Sequence, residues 1–219
     1  MATGWLTRSV ADVPAGDAWL GARERRALAG LRIDKRRADW RLGRWTAKAA
    51  LAAWLGADPA RLEVLAADDG APEPWLDGAP VPVSLSLSHR SGRAIAAVTA
   101  TPAVVGCDLE LLEPRSAAFV RDWLAEEEQA LVAGDSTRLP NLVWTAKEAA
   151  AKVRREGLRL DVRSAVTRLE DGSQDGWRPI AVEWTGEGLV TRGWWREGSQ
   201  FVMAVARVPD GPPPTLLSS

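Results

Sequence analysis

The chain has 219 residues, enough for one large domain or two small ones, and its 28 basic and 29 acidic residues leave a net charge of −1. This balance disfavours the extended basic surface of many nucleic-acid-binding proteins. The single cysteine, Cys107, excludes an internal disulfide, and the single histidine, His89, excludes a zinc site with two histidines, so acid–base and metal chemistry must rest mainly on Asp, Glu and Lys.

The first half of the chain predicts two helices followed by short strands. Leu20, Leu28 and Leu31 can share one face of an amphipathic helix over Asp17–Leu31. A second helix is expected over Asp34–Leu55, with Asp34 as N-cap and Gly56 as its stop. The strands that come next are expected near Leu62–Leu65, Pro82–Ser88, Ala94–Thr99 and Val104–Leu111.

The second half of the chain also predicts helices followed by short strands. Helical segments are expected over Ser116–Leu124 and Ala125–Val132, and a long helix over about Leu139–Glu156, ending at Gly157. Four late strands are expected at Ala165–Leu169, Ile180–Trp184, Leu189–Trp195 and Phe201–Val208. Residues 209–219 are rich in proline and predict a disordered tail.

An internal repeat organises the chain. Residues 45–53 are WTAKAALAA and residues 144–152 are WTAKEAAAK, and each copy is followed by Gly, an extended segment and Asp-Gly. We interpret the repeat as a duplication, which predicts an α+β fold with two similar halves, 1–103 and 104–208, related by a pseudo-twofold axis. A ligand site is expected at their junction. Ala49 and Ala53 are replaced by Glu148 and Lys152 in the second copy, which confines these charges to one half.

Acidic residues form the first candidate site. On a strand, Asp108 and Glu110 project to the same face. Neighbouring carboxylates repel unless a cation lies between them or one binds a proton, and oxygen ligands suit Mg²⁺. Glu148 and Lys152 share a helix face, so Glu148 could supply a third ligand while Lys152 neutralises phosphate oxygens. The alternatives are unrelated acids on an exposed strand and an ordinary surface ion pair.

Polar and basic residues form two further candidates. Ser84, Ser86 and Ser88 alternate along one strand face, and His89 ends that strand at a glycine-containing turn, where it could donate to a phosphate or be purely structural. A basic stripe with 4-3-4 spacing is either a solvated helix face or an anion cradle. Its members are Arg37, Arg41, Arg44 and Lys48.

Together and in this order, the motifs resemble the 4'-phosphopantetheinyl transferase superfamily, in its two-lobed Sfp-type branch. The likeness covers about Asp34 to Leu160. The matching segments are Gly43-Arg44, Gly70-Ala71-Pro72, Ser88-His89, Gly106-Cys107-Asp108-Leu109-Glu110, the acidic Glu126-Glu127-Glu128, and Trp144-Thr145-Ala146-Lys147-Glu148 with Lys152. Two positions depart from the family pattern: Ala71 stands where members often have Lys or Arg, and Arg155 replaces the first Gly of a Lys-x-x-Gly run.

The resemblance implies an enzyme that moves the phosphopantetheine arm of coenzyme A to a serine of an apo acyl or peptidyl carrier protein, releasing 3',5'-ADP. It implies Mg²⁺ as cofactor, with Asp108, Glu110 and Glu148 as ligands. It also implies that Asp108, Glu148 and Lys152 are catalytic. The residues implied to bind coenzyme A are Arg44, Lys48, Ser88, His89 and Lys152.

The remaining expectations concern partners and location. We expect a monomer, because two halves would already supply both sides of a cleft. The balanced charge disfavours a nucleic-acid partner, and no membrane partner is expected. No run of about 18 apolar residues occurs, and the N-terminus lacks a basic start followed by an apolar core, so a cytoplasmic location is expected.

Two rival functions stay open. One is a degenerate module that binds coenzyme A or a carrier protein without transfer, and the other is a Mg²⁺-dependent phosphohydrolase of coenzyme A.

Overall fold

The computed structural model describes residues 2–155 and 161–218. The expected helix end at Glu156 and Gly157 and the expected limit of the family likeness at Leu160 lie outside the described residues. The chain divides into two compact units: unit 1 comprises residues 1–105 and 214–219, and unit 2 comprises residues 106–213.

Helices and strands are mixed in both units, as expected for an α+β fold. The described α-helices are α1 (Ala22–Ala29), α2 (Asp34–Leu55), α3 (Ala117–Trp123), α4 (Glu126–Leu131) and α5 (Arg138–Arg154). The described strands are β1 (Thr3–Ser9), β2 (Leu62–Ala66), β3 (Pro72–Leu76), β4 (Ala79–Pro80), β5 (Val83–Arg90), β6 (Arg93–Ala100), β7 (Val104–Leu111), β8 (Ala165–Leu169), β9 (Arg178–Trp184), β10 (Leu189–Glu197), β11 (Phe201–Val208) and β12 (Thr215–Leu216).

Unit 1 is built on α2, which packs against a sheet of strand order β12-β1-β6-β5 and also contacts β2 of a separate β2-β3-β4 sheet. Fully buried alanines, Ala47 and Ala50, face the sheet together with Leu51, and small side chains allow the helix to approach the strands closely. The positions of Arg44 and Lys48 are therefore set by a helix that is fixed along its apolar side.

Three features of unit 1 differ from the expectations. The bounds of α2 agree, but its N-cap is Ile33, and Asp34 is the first helical residue. The first helix begins at Ala22 rather than Asp17. The expected disordered tail instead contains β12, which pairs in parallel with β1, and the Leu217 N–H donates to the Trp5 carbonyl oxygen at 2.9 Å.

Unit 2 is built on α5, which packs on a five-stranded sheet of order β7-β11-β10-β9-β8. Gly106 on β7 makes the closest approach to this helix, because a Cβ atom at this position would lie 2.0 Å from the carbonyl oxygen of Ala149. Only glycine permits the backbones to come so close. The next residues of β7 after Gly106 are thereby held against α5.

In the part of the chain that the structure describes, no helix combines the length and the apolar character needed to cross a membrane.

Candidate active site

Asp108 and Lys152 form the centre of the acidic cluster in unit 2. Asp108 lies on β7 and is only 5% exposed, and the Nζ of Lys152 on α5 donates to its Oδ1 at 2.7 Å and to the Cys107 carbonyl oxygen at 3.0 Å. Burial opposes the charge on Lys152, but its neighbours, with Asp108 first among them, together outweigh this effect and raise the pKa of Lys152. The ammonium group therefore stays charged at neutral pH.

Glu148 lies one helical turn before Lys152 and faces the same group of charges. Burial raises the pKa of Glu148, the negative charge of Asp108 raises it further, Lys152 partly offsets the increase, and Glu110 adds to it. Both acids of β7 thus act electrostatically on the carboxyl of α5. Glu148 therefore interacts electrostatically with both of the other acids that the sequence motifs single out.

Arg115 is a residue of this cluster that the sequence analysis missed. Its Nη2 donates to Glu110 Oε2 at 3.0 Å, and its Nε donates to the Oδ1 of Asn141, a buried residue of α5, at 2.6 Å. Its guanidinium also lies 4.6 Å from the ring centroid of Phe119. Glu110 is thereby tied to α5 through Arg115. Arg115 lies outside the segments that carry the family resemblance, and only its closeness to Glu110 in sequence could have indicated this contact.

The donor set of the cluster suits a hard divalent cation, although the side chains are not gathered around one. Across residues 2–155 and 161–218, no group of three or more His, Cys, Asp or Glu side chains is placed so that it could hold a metal ion. The three interacting carboxylates provide only oxygen donors, as Mg²⁺ prefers, and their mutual repulsion is relieved by a cation. Lys152 fills part of that role in the structure by pairing with Asp108.

In unit 1, the end of β5 that contains His89 runs beside α2. A Cβ atom on Gly43 would lie 3.8 Å from Cδ2 of His89, so the exposed His89 lies beside the part of α2 that contains Arg44, whereas the half-buried Ser88 projects to the opposite face of the strand. The Arg44 guanidinium lies 4.8 Å from the Trp40 ring centroid, and within the described residues its buried Nε has no hydrogen-bond partner. Burial lowers the pKa of Arg44, and Glu24 partly offsets this effect.

Lys48 does not belong to this group, and the expectation of an accessible coenzyme contact needs correction. Its side chain is fully buried, its Nζ lies 3.1 Å from Glu24 Oε2, and it donates to the Trp19 carbonyl oxygen at 2.6 Å. A charge withdrawn from water requires such a partner. Lys48 is therefore a structural cation of unit 1.

The rest of the basic stripe is also engaged in the fold. Arg37 donates to the carbonyl oxygens of Leu28 and Leu31, and Arg41 donates to that of Pro14 at 2.7 Å. These contacts fix the loops that precede α2. Arg44 is the member of the stripe that retains an unpaired buried donor within the described residues.

The departure at Arg155 has a structural consequence. Arg155 is the C-cap of α5 and adopts the left-handed conformation, with φ of 57°. Glycine is the residue best suited to this backbone conformation, which accounts for the family preference implied at this position.

Two family models match the chain. The 4'-phosphopantetheinyl transferase superfamily model matches residues 104–205, and the 4'-phosphopantetheinyl transferase N-terminal domain model matches residues 24–99. The chain belongs to the 4'-phosphopantetheinyl transferase superfamily. The two ranges of this transferase contain the Arg44–His89 group of unit 1 and the acidic cluster of unit 2. No curated protein matches the chain.

Proposed function

We propose that this transferase moves the 4'-phosphopantetheine arm of coenzyme A to a serine hydroxyl of an apo acyl or peptidyl carrier protein and releases 3',5'-ADP, in a Mg²⁺-dependent reaction. The observation that supports the proposal is the electrostatic coupling of Glu148 to Asp108 and Glu110, with the Lys152 ammonium directly beside them. Phosphoryl transfer needs this combination, because charge at the phosphates must be neutralised while a hydroxyl loses its proton.

Asp108, Glu110 and Glu148 would hold Mg²⁺, which would supply positive charge to the pyrophosphate of coenzyme A. Lys152 would donate to a phosphate oxygen, and the positive charge that its acidic surroundings favour supports this role. The serine oxygen forms the new bond to phosphorus, and the bond to the departing 3',5'-ADP breaks.

Glu148 is the proposed acceptor of the serine proton, directly or through a water molecule. Burial and two neighbouring carboxylates raise the pKa of Glu148, and a Mg²⁺ ion bound to the same carboxylates would offset this increase. The cluster itself would thus contain the acceptor for the proton that the nucleophile releases.

In unit 1, Arg44, Ser88 and His89 would bind the phosphate and adenine end of coenzyme A. The buried Nε of Arg44, which has no hydrogen-bond partner among the described residues, supports this part of the proposal, because a desolvated guanidinium gains most from an anionic partner. The variant His89→Ala is expected to raise the KM for coenzyme A while leaving kcat much less affected, and an unchanged KM would count against this assignment.

Transfer is tested by incubating the protein with coenzyme A, Mg²⁺ and an apo carrier protein and weighing the carrier by mass spectrometry. A gain of one phosphopantetheine is expected, and it should disappear with a chelator or with a carrier whose acceptor serine is replaced by Ala. Asp108→Ala should abolish the gain, whereas Glu73→Gln, which changes an exposed acid on β3, should not. Normal rates in Asp108→Ala would overturn the metal assignment.

The ion pair between Lys152 and Asp108 favours one alternative, a module that binds coenzyme A or a carrier protein without transfer, because a lysine here partly replaces a metal ion. The same experiment separates the candidates. Tight coenzyme A binding without a mass gain would identify the module, and breakdown of coenzyme A without a carrier would identify a phosphohydrolase.

Light scattering tests the further proposal that the transferase acts as a monomer.

A further inference from the structure

Each unit contains a buried lysine–glutamate ion pair on its Trp-Thr-Ala-Lys helix. In unit 1, the fully buried Lys48 of α2 pairs with the fully buried Glu24 of α1. The other carboxylate oxygen of Glu24 accepts the N–H of Val64 on β2 at 2.9 Å, and Oε2 also accepts the N–H of Gly21 at 2.9 Å. One carboxylate thus connects two helices and a strand.

Unit 2 contains the same set of contacts. Lys147 of α5 lies 2.5 Å from Glu128 Oε2 of α4, and both side chains are at least 99% buried. The Oε1 of Glu128 accepts the N–H of Thr167 on β8 at 2.7 Å, and its Oε2 accepts the N–H of Ala125 at 2.8 Å. In both units the lysine also donates to the carbonyl oxygen of a tryptophan, Trp19 or Trp123.

The two pairs differ in the residue directly after the lysine. Ala49 comes after Lys48 and packs in the apolar core of unit 1, whereas Glu148 comes after Lys147 and faces the acids of β7. Successive residues on an α-helix are about 100° apart, so fixing the direction of Lys147 also fixes the direction of Glu148.

Helix α5 is anchored at both edges of its sheet. β7 and β8 are the two edge strands, and Lys147 connects α5 to β8 through Glu128, while Lys152 connects it to β7 through Asp108. Rotation of α5 about its axis would strain or break these contacts. Of the two, the pair at β8 is the fully buried one, and it lies outside the acidic cluster.

We propose that Lys147, held by Glu128, is a positioning residue that sets the rotation of α5 and so directs Glu148 towards Asp108 and Glu110. Lys48 and Glu24 perform the same structural task in unit 1 without a metal site to position. The inference deepens the proposed function, because it concerns the cation site on which that function depends. Lys147 thereby affects the metal site, whereas Lys48, its counterpart in unit 1, cannot.

The chain offers a matched test. Removing either lysine alone leaves a buried carboxylate without its cation and can prevent folding, so the informative variants neutralise the whole pair. These are Lys147→Met with Glu128→Gln in unit 2 and Lys48→Met with Glu24→Gln in unit 1. Each is made in the full chain, and its melting temperature is recorded by circular dichroism.

The decisive measurement is Mn²⁺ affinity by electron paramagnetic resonance, without coenzyme A or carrier protein. Both double variants should lower the melting temperature by similar amounts. The unit 2 variant should weaken Mn²⁺ binding about tenfold or more, as loss of a residue that orients a ligand does, while the unit 1 variant stays close to the unaltered protein.

Three outcomes would decide against the inference. Unchanged Mn²⁺ affinity in the folded unit 2 variant overturns it, and so does an equal loss in both variants, which would indicate general destabilisation. If the unit 2 double variant does not fold, Lys147→Arg replaces it, with Lys48→Arg as control. The arginine keeps the charge but displaces Glu128. Weaker Mn²⁺ binding in Lys147→Arg than in Lys48→Arg supports the inference. Equal Mn²⁺ affinity in the two variants overturns it.

The metal measurement also separates this inference from the proposed function. An unaltered protein that binds Mn²⁺ but modifies no carrier would contradict the transfer reaction and leave the role of Lys147 intact. An unaltered protein that binds no Mn²⁺ would contradict the metal site and the inference together. Normal transfer with unchanged Mn²⁺ affinity in the unit 2 variant would contradict the inference alone.

Discussion

Helices α2 and α5 contain the same Trp-Thr-Ala-Lys sequence in the same local environment, yet the residue after this lysine is Ala49 in α2 and, in α5, Glu148, which interacts with the acids of β7. Thr46 and Thr145 each donate to the carbonyl oxygen four residues earlier at 2.7 Å, and Trp45 and Trp144 each make an edge-to-face contact with a tryptophan of the preceding segment. The residues that the repeats share build each unit. The residues by which they differ, Glu148 and Lys152, form the candidate site.

The two helices differ in the side chain that their surroundings can bury at this repeat position. At the position of Glu148, α2 has Ala49, which packs with Leu6 and Val98 in an apolar cluster. A carboxylate is tolerated at this position in α5 because Lys152 and Arg115 supply positive charge to the surrounding acids. An apolar repeat position can therefore become a site only together with its compensating cations.

The largest expected effect comes from returning Glu148 to the residue that unit 1 uses. Glu148→Ala should lower the rate of phosphopantetheine transfer roughly 100-fold or more, because both the proposed proton acceptor and a metal ligand are lost. The melting temperature should stay close to that of the unaltered protein, since an alanine already suits this helix position in α2. Initial rates from carrier mass spectrometry and a thermal melt test the two expectations, and a rate reduced only severalfold would contradict the first.

The reverse change is the control for this comparison. Ala49→Glu places a carboxylate in the apolar cluster of unit 1 without the cations that accompany Glu148. It should lower the free energy of unfolding by about 3 kcal/mol, the cost of burying an uncompensated polar group. A urea titration that gives the same stability as the unaltered protein would show that α2 can accommodate the charge as α5 does.

Glycines on the first strand of each unit offer the next comparison. A Cβ at Gly106 would meet the backbone oxygen of Ala149 at 2.0 Å, whereas one at Gly4 would meet the Leu217 side chain at 2.6 Å. Backbone cannot move aside, so Gly106→Ala should cost about 3 kcal/mol, and Gly4→Ala should cost only about 1 kcal/mol because a leucine side chain can rotate. Urea titrations measure both values, and equal costs would contradict the close approach of β7 to α5.

The sequence was most informative where the determinants are local. The bounds of α2 follow from the apolar spacing and from Gly56, and the shared face of Asp108 and Glu110 follows from strand alternation. β12 was missed because it pairs with β1, more than 200 residues away, and two residues have no periodicity of their own. Contacts of this kind depend on the folded chain rather than on local pattern.

Lys48 is predicted to contact an anion, but in the structure it forms a buried ion pair with Glu24. Its place in the basic stripe suggested an anion contact, but the same lysine recurs at Lys147, and a residue common to both halves is expected to serve the fold. Glu24 and Glu128, which neutralise the two lysines, lie on separate helices whose approach the sequence does not reveal. The presence of the same lysine in both copies of the repeat therefore indicates a structural role for Lys48.

Substitutions at the N-termini of α2 and α5 should have a smaller effect on stability, and the effect at α5 should depend on pH. Asp135 accepts the N–H groups of Thr137, Arg138 and Leu139 at the start of α5, whereas the N-cap of α2, Ile33, provides no such bond. Asp135→Ala should therefore destabilise the protein by about 1 kcal/mol at neutral pH. Asp34→Ala, which removes the acid in the first turn of α2, should have a smaller effect.

Burial opposes the charge of Asp135, but its three backbone hydrogen bonds lower its pKa from the ordinary value of 3.8. The unfolded chain therefore binds the proton first, and the stabilisation by Asp135 is complete above pH 3.8 and is lost as the pH falls through the lower folded-state pKa. The stability difference between the unaltered protein and Asp135→Ala should narrow in this acidic range. Urea titrations from neutral pH downwards test the sign, and a difference that widens in acid would contradict it.

The smallest expected effect is at the C-termini of the two helices. Gly56 ends α2 with φ of 63° and Arg155 ends α5 with φ of 57°, so the same left-handed cap is formed by glycine in one unit and arginine in the other. Arg155→Gly should stabilise the protein by about 0.5 kcal/mol, because relief of the strained backbone exceeds the entropy gained by the unfolded chain. Gly56→Arg should destabilise it by about 1 kcal/mol through conformation alone, since no described atom outside the adjacent backbone lies within 4 Å of a Cβ at this position. If thermal melts instead show that Arg155→Gly destabilises the protein, the arginine side chain contributes more to unit 2 than its backbone conformation costs.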